Sequence, residues 1–211
     1  MQVVSVNVGM PRDVTWRGKP VRTGIFKTPV QGPVRTGEAN LAGDGQADLE
    51  SHGGELKSVY GYPSEHYPYW REAFPEAPHG WGLLGENLTT RGLLESELRI
   101  GDRLRFGSAE LEVTQPRMPC FKLGLRFGDP AVVKSFRNGD RPGFYLRIVS
   151  PGEIATGSTI EPLASEPTRP TLVEIVRLAR GETASRGALE AALALPTLGP
   201  EWRDAFRRQL E

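Results

Sequence analysis

The chain has 211 residues, of which 26 are lysine or arginine and 26 are aspartate or glutamate, so its formal net charge at pH 7 is zero. This balance excludes a broad basic surface for nucleic acid or for an anionic membrane, and it leaves room only for a local anion pocket. A single cysteine and three histidines exclude an internal disulfide and a cysteine-held iron–sulfur cluster, and a zinc site would have to rest on the histidines.

The amino-terminal sequence MQVVSVNVGMPRD lacks the basic and apolar regions of a secretion signal. The apolar runs also fall short of the roughly 18 residues that a membrane-spanning helix needs. We therefore expect a cytoplasmic protein in a reducing compartment, with neither a membrane nor a nucleic acid among its partners.

Short apolar runs of alternating polarity dominate the first part of the chain. VVSVNV, RLRFG, AELEVTQ and GFYLRIVS are separated by glycine and proline turns, a pattern typical of a mostly antiparallel barrel or sandwich. IGDRLRFGSAELEV predicts a hairpin, because Leu104 and Phe106 share one face, as do Leu111 and Val113, with a Gly-Ser turn between the two runs. The predicted fold is mainly β with some α, and β-barrel-like.

One helix is predicted within this region, around PSEHYPYWREAF. Tyr67, Trp70, Arg71 and Phe74 recur there at helical spacing. Pro68 limits the helix to a start in its first turn or to a kink.

The composition changes after LASEPTRP, and three short helices are predicted over residues 166–211. Thr171 caps the first, the second begins near Ser185, and the third begins at Pro200. About 43 residues are too few for an independent core, so we expect this small three-helix bundle to dock on the barrel or on a second subunit. The predicted domains are residues 1–165 and residues 166–211.

The stretch TQPRMPCFKLG contains the single cysteine, Cys120. One interpretation is a buried structural thiol, because free cysteine is among the most buried residue types. The other is a reactive thiolate, because Arg117, Lys122 and Arg126 would favour the anion. The flanking prolines favour a loop at the end of a strand, where functional side chains often lie.

A second candidate site lies in GDGQADLESHGGELK. Asp44 and Asp48 offer carboxylates, His52 an imidazole and Lys57 a cation. Gly53 and Gly54 would let the backbone approach an anion closely. The alternative is a glycine turn with a histidine that faces solvent.

Two shorter motifs add polar groups. GENL contains Glu86 and Asn87, which could supply hydrogen bonds, and GIFKTPV contains the cation Lys27 beside the hydroxyl of Thr28. Each motif is weak evidence when taken alone.

Taken in order, GIFKTPV, GDGQADLESHGGELKSVY, GENL and QPRMPCFKL resemble the motifs of the MOSC domain, in its bacterial YiiM-like branch. The similarity runs from about residue 20 to residue 163, and the tail resembles the three-helix extension of that branch. One position departs from the pattern, because Leu56 stands where the branch often has an acidic residue.

The resemblance implies a β-barrel-like fold that binds a molybdenum-pterin cofactor of the molybdopterin type, with Cys120 as the protein ligand to the metal. A soft thiolate suits molybdenum. The resemblance further implies that cations and backbone donors near the glycine pair hold the phosphate of the cofactor. The expected cofactor-binding residues are Lys27, Thr28, His52, Gly53, Gly54, Lys57, Asn87 and Arg117.

The resemblance also implies the reduction of N-hydroxylated compounds, such as hydroxylaminopurines, in which R–NHOH, two electrons and two protons give R–NH2 and water. Cleavage of the N–O bond needs a proton donor. His52 is the candidate, with a contact to the cofactor as its alternative role, and Asp48 either orients it or caps a turn. The expected catalytic residues are Cys120, His52 and Asp48.

Electrons are expected from outside the chain, from a flavoprotein or an iron–sulfur protein, because one cysteine holds no cluster and no dinucleotide fingerprint G-x-G-x-x-G follows a predicted strand. The helical tail could dock such a partner or a second copy in a homodimer. A competing function is a sulfur carrier or cofactor-binding module that uses Cys120 as a persulfide or delivery site, and a third is a barrel in which the thiol only packs.

Overall fold

The computed structural model describes residues 1–48 and 53–211. The strands are β1 (Gln2–Val8), β2 (Arg12–Trp16), β3 (Lys19–Thr23), β4 (Thr28–Pro29), β5 (Val34–Arg35), β6 (Val59–Pro63), β7 (Leu88–Arg91), β8 (Arg103–Phe106), β9 (Ala109–Pro116), β10 (Phe144–Ser150), β11 (Glu153–Ile154) and β12 (Ile160–Ala164). The helices are α1 (Tyr67–Ala73), α2 (Phe121–Phe127), α3 (Ala131–Asn138), α4 (Leu172–Ala179), α5 (Arg186–Leu193) and α6 (Pro200–Leu210), with 3-10 turns at Glu55–Lys57 and Ser64–His66.

Eight of the described strands form one large sheet in the order β12-β8-β9-β10-β6-β7-β1-β4, and two further pairs, β2-β3 and β5-β11, form two-stranded sheets. Neighbouring strands of the large sheet are antiparallel except for β6 and β7, which are parallel. The sheet curls back on itself, because Gln2 bridges Thr159 and the amide of Val3 donates to the carbonyl of Ser158 at 2.9 Å. These contacts join the starts of β1 and β12 and confirm the prediction of a mainly β, barrel-like fold, although no continuous ladder joins β12 to β1 in the described residues.

The predicted hairpin and the predicted first helix are both confirmed. Leu104 lies opposite Leu111 in the antiparallel pair of β8 and β9, and both side chains are buried. In α1, Tyr67 and Trp70 are buried, and Pro68 stands in the first turn, where a missing amide hydrogen is tolerated.

The three predicted carboxyl-terminal helices are present as α4, α5 and α6. Thr171 caps α4 with a capping box that it shares with Glu174. The bundle packs on strand β9, where the indole nitrogen of Trp202 donates to the carbonyl of Pro116 at 3.1 Å. Buried side chains of α4 and α6 belong to the same apolar core as the sheet, so the bundle docks on the barrel, the first of the two predicted arrangements.

Helices α2 and α3 were not predicted. Gly124 lies in the middle of α2, and two adjacent valines lie in α3, so local propensity argues weakly for both helices. The helices are stabilised by a second apolar core in which the Phe136 ring stacks on Trp70 at 5.9 Å and Phe127 meets the same indole edge-on at 5.9 Å. The prediction of a single helix before the tail was therefore incomplete. In the part of the chain that the structure describes, none of the helices has the length and apolar character needed to cross a membrane.

Candidate functional site

A small cavity of ≈ 90 Å³, open to solvent, collects the sequence motifs at one place. Of the predicted site residues, the cavity is lined by Lys27, Asp48, Lys57, Asn87, Arg117 and Cys120. The structure thus brings together residues that lie up to 93 positions apart, from 27 to 120.

Cys120 lies at the position that precedes helix α2, with extended backbone angles φ −125° and ψ 171°. The strand β9 ends at Pro116, and residues 117–120 form the predicted loop before the helix begins. The thiol is half-buried and lines the cavity. This exposure favours an accessible thiol over one that is sealed in a core.

Arg117 is buried at the cavity wall and fixed in direction. Its Nη1 donates to the carbonyl of Leu84, and its guanidinium carbon lies 4.8 Å from the centroid of the Tyr60 ring. A guanidinium carries five donors. The anchored group can therefore keep some of its N–H donors for an anion.

Lys27 and Asp44 form an ion pair inside the cavity wall. The Asp44 carboxylate also accepts from the amide of Gly9 at 2.9 Å and from Nδ2 of Asn87 at 2.9 Å. Burial lowers the pKa of Lys27, although Asp44 acts in the opposite direction. Asp44 therefore ties the GIFK and GENL motifs to one another.

Glu86 of the GENL motif is fully buried and serves as an anchor within the protein. Its carboxylate accepts from the amides of Gly82 at 2.8 Å and Leu84 at 3.0 Å, and from the hydroxyls of Thr89 at 2.8 Å and Tyr67. These donors hold the turn, so that the following asparagine reaches the cavity.

Gln46 holds the turn that presents Lys57. Its side chain donates to the carbonyl of Lys57 at 2.9 Å and accepts from the amide of Gly54 at 3.2 Å. The Gly54 amide is thus engaged by Gln46. The Lys57 ammonium forms an ion pair with Glu201 at the start of α6.

Several predicted residues do not lie in the cavity lining. Thr28 is exposed in β4, Gly53 and Gly54 lie outside the lining, and the guanidinium carbon of Arg126 lies 5.5 Å from the Phe26 ring on the side of α2. His52 lies outside the described residues.

Tyr145 and Lys122 line the cavity and were not predicted to bind there. Tyr145 lies in strand β10, and the alternation of polar and apolar residues there predicts a strand without indicating a binding site. Burial raises the pKa of Tyr145, and the neighbouring Arg117 acts against this shift. Gln46 was also missed, although it stands within the GDGQAD motif. Asp44 was a candidate from the sequence, and the structure places it in the cavity lining.

The sequence matches two family models, the MOSC domain over residues 48–161 and the "YiiM-like, 3-alpha helix domain" over residues 170–211. It is 37% identical over 207 residues to the uncharacterized protein YflK of Bacillus subtilis, covering 98% of this chain and 93% of that protein. It is 33% identical over 182 residues to a protein of Gibberella moniliformis named "Reductase", covering 85% of this chain and 32% of the relative. The crystal structure of YiiM from Geobacillus stearothermophilus superposes with a TM-score of 0.81 at 32% identity, covering 100% of this chain and 99% of that chain.

Proposed function

We propose, since the chain belongs to the MOSC family and has the three-helix domain of its YiiM-like members, that it is a molybdenum-cofactor-dependent reductase of N-hydroxylated compounds. MOSC domains are associated with molybdenum cofactor binding. Hydroxylaminopurines are the proposed type of substrate, and R–NHOH, two electrons and two protons would give R–NH2 and water.

One observation carries the proposal: the thiol of Cys120 opens into the same cavity as the cations Lys27, Lys57, Arg117 and Lys122. In the described ranges, 1–48 and 53–211, no group of three or more His, Cys, Asp or Glu side chains is placed to hold a metal ion. The cavity instead provides one soft sulfur donor beside several cations. This donor set fits an anionic cofactor that brings most of its own metal ligands.

Each part of the cavity has a distinct proposed task. Cys120 would bind the metal, and the cations Lys57 and Arg117 would hold the phosphate, with Asn87 as a hydrogen-bonding neighbour. When bound, the cofactor would supply the two-electron reduction of the N–O bond. The protein supplies the position, the charge and the protons.

The proton for the departing oxygen is assigned to two residues. His52, with Asp48 as its orienting carboxylate, remains the donor proposed from the sequence, and it lies outside the described residues. Tyr145 lines the cavity, and its raised pKa keeps its hydroxyl protonated, so it can donate a hydrogen bond to the substrate. We propose that the two act together.

The electrons are proposed to come from an external flavoprotein or iron–sulfur protein. The relative named "Reductase" is longer than this chain, which covers 32% of it. The name of that relative supports an oxidoreductase function.

The decisive experiment measures molybdenum in protein purified from a host that makes the cofactor. We expect about one molybdenum per chain in the wild type, together with reduction of a hydroxylamine by an artificial electron donor. Cys120→Ala should lose the metal because no other thiol is available. Phe121→Ala, which alters an exposed neighbour at the start of α2, is the matched control and should keep it.

Equal molybdenum in the wild type and in Cys120→Ala would overturn the role of the thiol as a ligand. A persulfide on Cys120 in metal-free protein, with no reductase activity, would favour the competing function, a sulfur carrier. Mass spectrometry of the intact protein detects the persulfide by the mass of the added sulfur atom.

A further inference from the structure

The carboxyl-terminal helical bundle contributes a charged side chain to the edge of the candidate site. Glu201 in the first turn of α6 forms an ion pair with Lys57, a residue 144 positions earlier in the chain. The Lys57 side chain is 9% exposed and the Glu201 side chain is 29% exposed. The same ammonium lies 5.9 Å from the ring centroid of Tyr145.

The position of Glu201 is set by direct bonds between α6 and strand β9. The amide of Gly199 donates to Oε1 of Gln115 at 2.6 Å, and the indole of Trp202 donates to the carbonyl of Pro116 at 3.1 Å. Gln115 and Pro116 are the last residues of the strand that leads to Cys120. The first turn of α6 is therefore fixed to the element that carries the thiol.

Two of the lysines that line the cavity, Lys27 and Lys57, are paired in different ways. The Asp44 carboxylate that pairs with Lys27 is 3% exposed and accepts from two further donors, so this pair is locked into the wall. Glu201 is partly open to water, which can solvate its carboxylate after separation from Lys57. Of these two ion pairs, the Lys57–Glu201 pair is therefore the one that can be exchanged.

We propose that Glu201 is a specificity-determining residue that holds Lys57 in place and yields it to a phosphate group, so that ligand entry exchanges the Lys57–Glu201 pair for a Lys57–phosphate pair. A phosphate carries about 1.5 to 2 negative charges and three strong acceptor oxygens, whereas a carboxylate carries one charge. Phosphate can therefore displace Glu201 where a monovalent anion cannot. The link to the phosphate of the cofactor rests on the proposed function, but the exchange itself requires only a phosphate-like anion.

The test measures the binding of inorganic phosphate by calorimetry, with full-length protein purified from a host that lacks the cofactor. Glu201→Gln should bind phosphate about fivefold more tightly than the wild type, because the Lys57 ammonium no longer has to separate from the Glu201 carboxylate. Lys57→Gln should bind it more weakly. Asp204→Asn, which removes one charge from the exposed Asp204–Arg207 pair of the same helix, is the matched control and should bind as the wild type does.

The double variant Glu201→Gln, Lys57→Gln distinguishes the exchange of ion pairs at Lys57 from a general repulsion between the Glu201 carboxylate and phosphate. If Glu201 acts through Lys57, then Glu201→Gln has no effect on phosphate binding in the Lys57→Gln background, whereas a diffuse repulsion would give the same gain in both backgrounds. Circular dichroism of each variant checks that α6 remains folded.

Three results would overturn the inference: an unchanged or weaker affinity in Glu201→Gln, an equal gain in the Lys57→Gln background, or no phosphate binding by Glu201→Gln at all. The result is distinct from the test of the proposed function, because it uses neither molybdenum nor turnover. A protein that loads molybdenum and reduces hydroxylamines, but binds phosphate equally well with and without Glu201, would keep the function and lose the inference.

Discussion

Asp44 holds Lys27 in an ion pair whose side chains are only 3% and 9% exposed. The pair joins the loop after β3 to the turn that follows β5, at the wall of the candidate cavity. A charge in such a place is tolerated because its partner compensates the lost hydration.

Asp44→Ala should therefore destabilise the protein strongly, because it leaves the Lys27 ammonium buried without its partner. We expect a loss of about 3–5 kcal/mol in the free energy of unfolding, measured by urea denaturation. Asp13→Ala breaks the exposed pair of Asp13 and Arg22 at 2.9 Å and should cost less than about 1 kcal/mol. Similar losses in both variants would contradict the buried-pair interpretation.

Glu86→Gln should loosen the turn that presents Asn87. An amide offers one acceptor oxygen, whereas the Glu86 carboxylate accepts from Tyr67, Thr89 and two backbone amides. We expect a loss of about 2–3 kcal/mol in the free energy of unfolding, together with lower retention of molybdenum. Glu76→Gln, at an exposed position, should be neutral in both measurements.

Gly199→Ala should shift the start of α6. A Cβ at this position would lie 2.3 Å from Oε1 of Gln115, which is the acceptor for the Gly199 amide. We expect a loss of about 1–3 kcal/mol in stability. Gly187→Ala, in α5 with no atom within 4 Å of the added Cβ, should instead stabilise the helix by roughly 0.5–1 kcal/mol. Thermal unfolding measures both effects. If the two substitutions shifted the melting temperature in the same direction, this account would be contradicted.

Asp140 links the segment after α3 to α4, accepting from Nε of Arg177 at 2.9 Å and from Nη2 of Arg180 at 2.5 Å. Partial burial would raise the pKa of Asp140, but the hydrogen bonds from the two arginines outweigh it and lower the pKa. At pH values between the lowered pKa and the ordinary value of 3.8, Asp140 binds more protons in the unfolded chain than in the folded one. The contribution of Asp140 is therefore complete above that ordinary value and is lost as the pH falls through the lowered pKa.

Asp140→Asn should accordingly be less stable than the wild type by about 1 kcal/mol at pH 7. The difference should shrink only when the pH falls below about 4. Urea denaturation at a series of pH values measures this. If the difference in the free energy of unfolding between the two proteins shrank as the pH rises, the prediction would be contradicted.

Tyr145→Phe should lower the rate of hydroxylamine reduction by at least about tenfold while the molybdenum content is retained, because it removes only the hydroxyl of a residue that lines the cavity. Tyr69→Phe is the matched control, since its hydroxyl meets Ser135 at 2.7 Å on an exposed surface. A normal rate in Tyr145→Phe would assign the proton transfer to other groups.

Much of the candidate site could be predicted from the sequence, because its short motifs are specific when taken together in their order along the chain. Cys120, Lys27, Lys57 and Arg117 were expected to act together, and the structure brings them to one cavity. Thr28 belongs to the same GIFKTPV motif, but it is exposed in β4 and lies outside the cavity lining.

The sequence by itself determined the features that a few neighbouring residues encode: the β8–β9 hairpin, Thr171 as the cap of α4, and the proline at the start of α6. Alternation of polarity and capping chemistry act within one strand or one helical turn, so they can be read without knowledge of the fold.

Tertiary structure alone decided the rest. Helix α3 is a weak helix former that is held by Trp70, and Tyr145 reaches the cavity only because β10 lies between β9 and β6. Glu201 meets Lys57 across 144 residues because α6 is bonded to β9. Such contacts depend on the relative placement of whole elements, and that placement is set by burial of apolar surface throughout the chain rather than by local residue patterns.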